Sequence, residues 1–243
     1  MSDHGAGATI RTRDCTAKSA RGNAALFVPI SDTALGEGDH ASSSPRAIRA
    51  ARMLDDADAA RAREYALLAA LLWRAPDDAL LRGLSGIRGD STPLGIAHAA
   101  LARAAEEANL TRLEREFFDL FIGVGRGELL PYSSYYLTGF LNERPLARLR
   151  DDLRKLGIVR AENQTEPEDH AAMLCEMMAG LVAGSLPAPA DAPEKLFKKH
   201  LAPWIGRFFA DLEQNANASF YRHVAKAGRL FIDIETEAFA LPS

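Results

Sequence analysis

The feature that most constrains this chain is the helical period of its apolar residues, which persists from about residue 55 to the C-terminus. In residues 219–240, for example, one helix face collects Phe220, Val224, Ala227, Phe231, Ile234 and Ala238. No stretch alternates apolar and polar residues as a half-buried strand does, and short runs such as residues 158–159 are too small to support a sheet. The sequence therefore predicts an all-α fold, a single globular domain of about eight helices.

Apolar stripes, glycines and prolines predict where these helices begin and end. The predicted helices are 55–75, 76–84, 93–108, 110–123, 144–156, 165–185, 194–214 and 219–240. Residues 123–143 contain several glycines and are predicted to be irregular. Pro203 lies inside the seventh segment and predicts a kink near Ala202.

The N-terminal segment differs from the rest of the chain in composition. Residues 1–52 are rich in small and polar residues, show no sustained period and carry a net charge of 7 − 5 = +2, whereas the remainder carries 22 − 28 = −6. Such a composition buries too little apolar surface to offset the entropy lost on ordering. We therefore predict a disordered tail over residues 1–52 and a helical domain over residues 53–243.

Composition excludes several classes of protein. The chain has 243 residues, 47% of them hydrophobic, and a net charge of −4, which argues against non-specific nucleic-acid binding. The longest apolar run, residues 65–73, is far shorter than the ~20 residues of a membrane-spanning helix, so we expect no membrane insertion. Two cysteines cannot form a disulfide framework or a zinc site, and with no recognisable export signal this favours a cytoplasmic location.

The densest polar cluster lies at residues 165–170, Thr-Glu-Pro-Glu-Asp-His. Thr165 and Glu168 have the spacing of a capping box at the start of a helix. Glu166 and His170 are four residues apart and would share one helix face. This histidine is interpreted either as a structural residue bonded to a neighbouring loop or as part of a site that grips a ligand. A metal site is disfavoured because no further histidine or cysteine accompanies the cluster, so we predict neither metal nor cofactor.

A second cluster, residues 131–136, places three of the five tyrosines of the chain in a predicted loop. Rigid amphipathic aromatic side chains favour contact with a partner, although they could equally fill the core between helices. The glycines of residues 123–127 follow a helix rather than a strand, so a chain reversal is expected there and not a phosphate-binding loop. No arrangement of a nucleophile with a base is evident, and Cys175 has no activating neighbour in sequence, so we predict that the protein is not an enzyme.

These motifs, in their order along the chain, resemble the TorD/DmsD-type redox enzyme maturation chaperones. The matching elements are Phe-Phe-Asp-Leu-Phe-Ile-Gly at 117–123, Pro-Tyr-x-Ser-x-Tyr-Leu at 131–137, Glu-Pro-Glu-Asp-His at 166–170 and Phe-Lys-Lys-His-Leu-Ala-Pro-Trp at 197–204. The resemblance covers about residues 55–240. The stretch at residues 136–140 is most similar to the branch associated with formate dehydrogenase.

The resemblance implies an all-helical cytoplasmic chaperone that binds the precursor of a molybdopterin oxidoreductase, in this branch formate dehydrogenase, often through its twin-arginine leader. The client-binding residues that it implies are Glu166, Asp169, His170, Tyr132, Ser134, Tyr136 and Tyr65. An acidic domain suits a leader that carries an arginine pair, because carboxylates accept guanidinium groups well. The alternative hypothesis is a small all-helical enzyme or nucleotide-binding protein that uses the 165–170 cluster.

Overall fold

The computed structural model describes residues 27–29, 56–161 and 164–241, and this part of the chain is mostly α-helical. The predicted all-α fold is confirmed. The first five helices are α1 Asp56–Trp73, α2 Asp78–Ser85, α3 Pro93–Glu106, α4 Leu110–Phe117 and α5 Ser133–Thr138. The next five are α6 Arg144–Lys155, α7 Ala171–Val182, α8 Ala192–Leu196, α9 Ile205–Gln214 and α10 Tyr221–Ala238. One π-helical turn, Phe118–Ile122, follows α4, and another, Phe197–Leu201, follows α8.

Helix α7 lies at the centre of the core. It is apolar on almost every face and packs along α1, and the fully buried side chains include those of Met173, Met177 and Met178. A helix that is apolar all round must be enclosed by other helices, and α7 is. Helix α10 packs against α9, α3 and α1, and so closes the domain.

Local capping residues start three helices as helix-start rules predict. The side chain of Asp77 accepts a hydrogen bond from the Leu80 N–H, and that of Asn109 accepts one from the Arg112 N–H. Thr92 accepts one from the Gly95 N–H, with Pro93 in the first turn of α3.

A buried ionic network joins α1 to α10. Both carboxylate oxygens of Glu235 accept hydrogen bonds from the Arg61 guanidinium, at 2.7 and 2.9 Å. The Tyr65 hydroxyl donates to the same carboxylate at 2.9 Å, and Arg61 also reaches Asp58. Tyr65 and Glu235 are both buried, so this network takes the place of an apolar contact between the two helices.

Two short elements of this fold are absent from the prediction. Residues 133–138 form α5 inside the segment predicted to be irregular. Residues 158–160 form a strand, β2, which pairs antiparallel with β1, Phe27–Pro29, so this short run does support a small two-stranded ribbon. Strand β1 belongs to the segment predicted to be a disordered tail and is an exception to that prediction. The rest of residues 1–52 lies outside the described residues.

We expect the β1–β2 ribbon to contribute little to stability. A two-stranded ribbon of three residues per strand is marginal in water, so a variant lacking residues 1–30 should have a melting temperature within roughly 4 °C of the full chain. Differential scanning calorimetry measures this. A variant lacking residues 1–26 keeps the strand and serves as the control. A loss of 8 °C or more that appears only in the shorter variant would show that β1 stabilises the domain substantially.

Candidate functional site

The structure brings the tyrosine cluster and the acidic cluster side by side. Tyr132 and His170 form an antiparallel backbone bridge. The Ser133 N–H donates to the Asp169 carbonyl at 3.0 Å, and the Ala171 N–H donates to the Pro131 carbonyl at 2.7 Å. Two segments that are more than 30 residues apart in sequence thus form one paired loop, which we call the bridge site (residues 131–134 and 166–171).

This pairing changes where the central helix begins. The sequence predicts a helix from Thr165 with Glu168 in a capping box, and both predictions are wrong: α7 begins at Ala171 and His170 is its N-cap. The capping pattern is present locally, but the extended backbone of His170 instead forms the bridge to Tyr132.

Asp169 is committed to the fold. Its side chain is buried and accepts a hydrogen bond from the Ser134 N–H at 2.8 Å and one from the Ser133 hydroxyl at 3.2 Å. The first residues of α5 therefore receive their cap from Asp169, since Tyr132 at the N-cap position makes no side-chain cap bond. The predicted role of Asp169 in gripping a client arginine does not fit this geometry, because its carboxylate is enclosed and occupied.

Glu168 is also paired within the chain. Its carboxylate accepts from Arg150 at 2.8–2.9 Å and lies 4.0 Å from Arg160. Arg160 also donates to the Glu166 carbonyl at 2.7 Å. The two arginines thus fix the acidic segment from the side of α6 and β2. No local sequence signal points to either of them, because both lie outside the acidic cluster.

Glu166 is the acid of the cluster that retains capacity for a ligand. One oxygen of its half-buried carboxylate accepts from the Tyr132 hydroxyl at 2.8 Å. No hydrogen bond or ion pair from elsewhere in the described ranges reaches the other oxygen. Burial and the neighbouring Glu166 raise the pKa of Tyr132, so the phenol stays protonated and acts as the donor.

His170 is a neutral N-cap. Its Nδ1 accepts the Ala172 N–H at 3.0 Å, and burial lowers the pKa of the imidazole to about 3. The proton of the neutral ring therefore lies on Nε2, a donor that has no hydrogen-bond partner among the residues that the structure describes. The ring packs edge-on against Tyr132 and Trp73, with centroids 5.0 and 6.1 Å apart.

The pKa of His170 predicts a contribution to acid sensitivity. The folded state holds the ring neutral, so this contribution to stability is present above the unfolded-state pKa of about 6.5 and is lost as the pH falls towards 3. His170→Asn keeps a good N-cap and removes the titration. Chemical denaturation between pH 7 and pH 4 should therefore show a flatter decline in the variant, by at most about 1.4 kcal/mol per pH unit. Identical slopes in both proteins would contradict a buried neutral His170.

The remaining predicted residues divide between the bridge site and the core. Ser134 lies in the bridge site, and its fully buried hydroxyl has no hydrogen-bond partner within the described ranges. Tyr136 points into the core: its hydroxyl donates to Asp211, and its ring packs against Trp204. Tyr65 is fully buried in the ionic network with Glu235. The prediction that Tyr65 and Tyr136 contact a client is therefore not supported by their positions, whereas Trp73 does line the bridge site.

Two negative findings apply to residues 27–29, 56–161 and 164–241. No group of three or more His, Cys, Asp or Glu side chains is placed to hold a metal ion. None of the helices in these ranges is both long enough and apolar enough to span a membrane.

The all-α domain and its paired loop define a helical protein whose site offers hydrogen-bonding groups and one available carboxylate. A family model described as the nitrate reductase delta subunit matches residues 88–210. The chain belongs to the nitrate reductase delta subunit family.

Curated relatives agree with this assignment. The chaperone protein TorD of Vibrio cholerae serotype O1 is 30% identical over 129 residues, which cover 49% of this chain and 59% of the relative. TorD of Shewanella loihica is 24% identical over 75% of this chain and 94% of the relative. The predicted membership in the TorD-type family is confirmed. The alignment with the Vibrio cholerae proteins spans about three fifths of their length.

A solved structure is also similar in part. The crystal structure of a redox enzyme maturation protein from Archaeoglobus fulgidus matches with a TM-score of 0.48 and 21% identity, over 70% of this chain and 93% of that one.

Proposed function

We propose that this protein is a cytoplasmic chaperone that binds the precursor of a molybdenum-dependent oxidoreductase before export and catalyses no reaction itself. Support comes from the family of the chain and from relatives that are named chaperones. The bridge site supports binding rather than catalysis, since its histidine is neutral and buried and its aspartate is occupied by backbone and hydroxyl donors.

We infer that the twin-arginine leader of the precursor is recognised at the bridge site through Glu166. The observation that carries this proposal is that the three acids differ in their burial and in their hydrogen-bond partners. Asp169 caps α5 and is only 1% exposed, and Glu168 pairs with Arg150. Glu166 is half-buried, and in the described part of the chain its carboxylate bonds only to Tyr132. A guanidinium forms stronger hydrogen bonds with a carboxylate than with a neutral acceptor, and partial burial of the carboxylate strengthens them further.

The neighbouring groups suit the rest of a peptide. The Nε2–H of His170 can donate to a backbone carbonyl of the leader. This contact does not depend on the sequence of the leader, because every residue has a backbone carbonyl. The rings of Tyr132 and Trp73 offer apolar and aromatic surface beside it. Binding of this kind requires no metal ion and no nucleotide.

For the client, we propose a formate dehydrogenase, on the similarity of residues 136–140 to that branch. Leu137 and Phe140 of this stretch are exposed, Phe140 to 70%, and Gly139 between them has φ = 85°, a conformation that favours glycine. This turn can therefore present two apolar side chains to a client. A leader from formate dehydrogenase should bind more tightly than a leader from another molybdenum enzyme in the same titration.

The test of the site is titration calorimetry with a twin-arginine leader peptide and Glu166→Gln. Loss of a partly buried carboxylate–guanidinium pair should weaken binding about 10- to 100-fold, with the melting temperature nearly unchanged. Raising the salt concentration should weaken binding to the unmodified protein without abolishing it. Glu114→Gln, an exposed acid on α4, is the matched control and should bind normally.

A double-mutant cycle locates the pair. Peptides with each arginine replaced by alanine should lose affinity for the unmodified protein but show little further loss with Glu166→Gln. Fully additive losses would show that Glu166 does not contact the arginine pair. A peptide that fails to bind the unmodified protein at all would overturn leader recognition.

A further inference from the structure

A cavity of about 420 Å³ lies between α3, α4 and the start of α10, away from the bridge site. This volume is within the usual range of small-molecule sites, roughly 300–1,000 Å³. The side chains that matter for its chemistry are those of Arg103, Glu107, Arg112, Glu116 and His223.

The acid on the inner side of this cavity is already used by the fold. The carboxylate of Glu116 accepts hydrogen bonds from the backbone N–H groups of Ser219, Phe220 and Tyr221, at 2.8, 3.2 and 2.8 Å. It therefore caps α10, where the helix dipole also favours a negative charge. Glu116 is occupied by these donors and is not paired with either arginine of the cavity.

The cations of the cavity are not paired in this way. Within the described residues, neither the Arg103 nor the Arg112 guanidinium makes a hydrogen bond or an ion pair, even with Glu107 at the same cavity. His223 likewise makes no side-chain hydrogen bond there. Burial and the positive charges of Arg222 and Arg103 lower the pKa of His223, and they outweigh the opposing influence of Glu116 and Glu107. The lining carries two arginines and two glutamates, and three backbone N–H groups already offset the charge of Glu116. Glu107 is therefore the acid that remains opposite the two exposed guanidinium groups of the cavity.

We propose that this cavity binds a small anion that carries more than one phosphate or carboxylate group, held by Arg103 and Arg112. Two arginines whose forks of N–H donors have no acceptor match the geometry of such oxyanions. The proposal is independent of leader recognition at the bridge site, because it uses different helices and the opposite charge.

The binding test uses inorganic phosphate, pyrophosphate and citrate as probes in titration calorimetry with the full chain. We expect saturable binding of pyrophosphate, citrate or both, weakened at least tenfold in the Arg103→Gln/Arg112→Gln double variant. Arg148→Gln is the matched control, since Arg148 is exposed on α6 and has no partner in the described part of the chain. This variant should bind like the unmodified protein, and melting curves should show that all three proteins are folded.

The relative affinities of the probes distinguish a phosphate ligand from a carboxylate ligand. Tighter binding of pyrophosphate assigns a phosphate ligand, and tighter binding of citrate assigns a carboxylate ligand. NMR titration of His223 should show its pKa rising when the anion is bound, because a nearby negative charge favours the imidazolium. The groups around this ring are Arg222 on α10, Arg103 and Glu107 at the end of α3, and Glu116 on α4. The proposal is overturned if no probe binds at 10 mM, or if the double variant and Arg148→Gln lose affinity equally.

Discussion

Replacement of Glu235 by alanine is expected to lower the free energy of unfolding by about 3 kcal/mol, which is a loss of roughly 10 °C in melting temperature. The variant would leave the Arg61 guanidinium and the Tyr65 hydroxyl without the carboxylate that both now contact. The Tyr65 hydroxyl would be left in a buried position, whereas the Arg61 side chain is 25% exposed and would keep its ion pair with Asp58. Calorimetric and urea unfolding of the purified variant measure the effect.

Tyr65→Phe is the matched control for this network. It removes one hydroxyl but leaves the Arg61–Glu235 pair intact, so the expected loss is about 1 kcal/mol. This variant should also bind a leader peptide normally, since Tyr65 is enclosed in the core and does not reach the bridge site. Equal losses in Glu235→Ala and Tyr65→Phe would show that the ion pair with Arg61 contributes no stability.

Asp169→Ala is expected to cost about 2–3 kcal/mol, because it leaves the buried Ser134 N–H and Ser133 hydroxyl without an acceptor. Asp169→Asn retains an oxygen that can accept from Ser134 and should cost less. Leader affinity and thermal stability should be measured on both variants together with Glu166→Gln.

The two acids should separate in these measurements. Asp169→Ala should lower thermal stability, and any decrease in leader affinity should be proportional to the decrease in the folded fraction. Glu166→Gln should lower affinity while the folded fraction is unchanged. If Asp169→Ala binds the leader far more weakly while melting like the unmodified protein, Asp169 is a contact residue and its assignment to the fold is wrong.

Much of the site could be found from the sequence, but not the role of each residue in it. Glu166, Asp169, His170, Tyr132 and Ser134 were all indicated by motif, and all lie at the bridge site. Their roles depend on partners distant in sequence. Glu168 pairs with Arg150, 18 residues away, and Asp169 caps a helix 35 residues before it. No periodicity or spacing reports contacts of that kind.

The sequence by itself determined the helical class and most helix boundaries. Helix α1 was predicted at residues 55–75 and is Asp56–Trp73, and α6 was predicted at 144–156 and is Arg144–Lys155. These boundaries are predictable because helix-forming residues, caps, glycine and proline act over one or two turns.

Only the tertiary structure decided the start of α7, the strand at residues 158–160 and which acid remains available. At residues 165–170 the local capping signals favour an earlier helix start. Tertiary hydrogen bonds outweigh these local signals. They are the backbone bonds between Asp169 and Ser133 and between Ala171 and Pro131, together with the bonds of the buried Asp169 carboxylate at the start of α5. Most buried polar groups are hydrogen-bonded in folded proteins, and their partners can come from segments that are distant in sequence. For that reason Asp169 is enclosed by the fold, whereas the half-buried Glu166 remains accessible to a ligand.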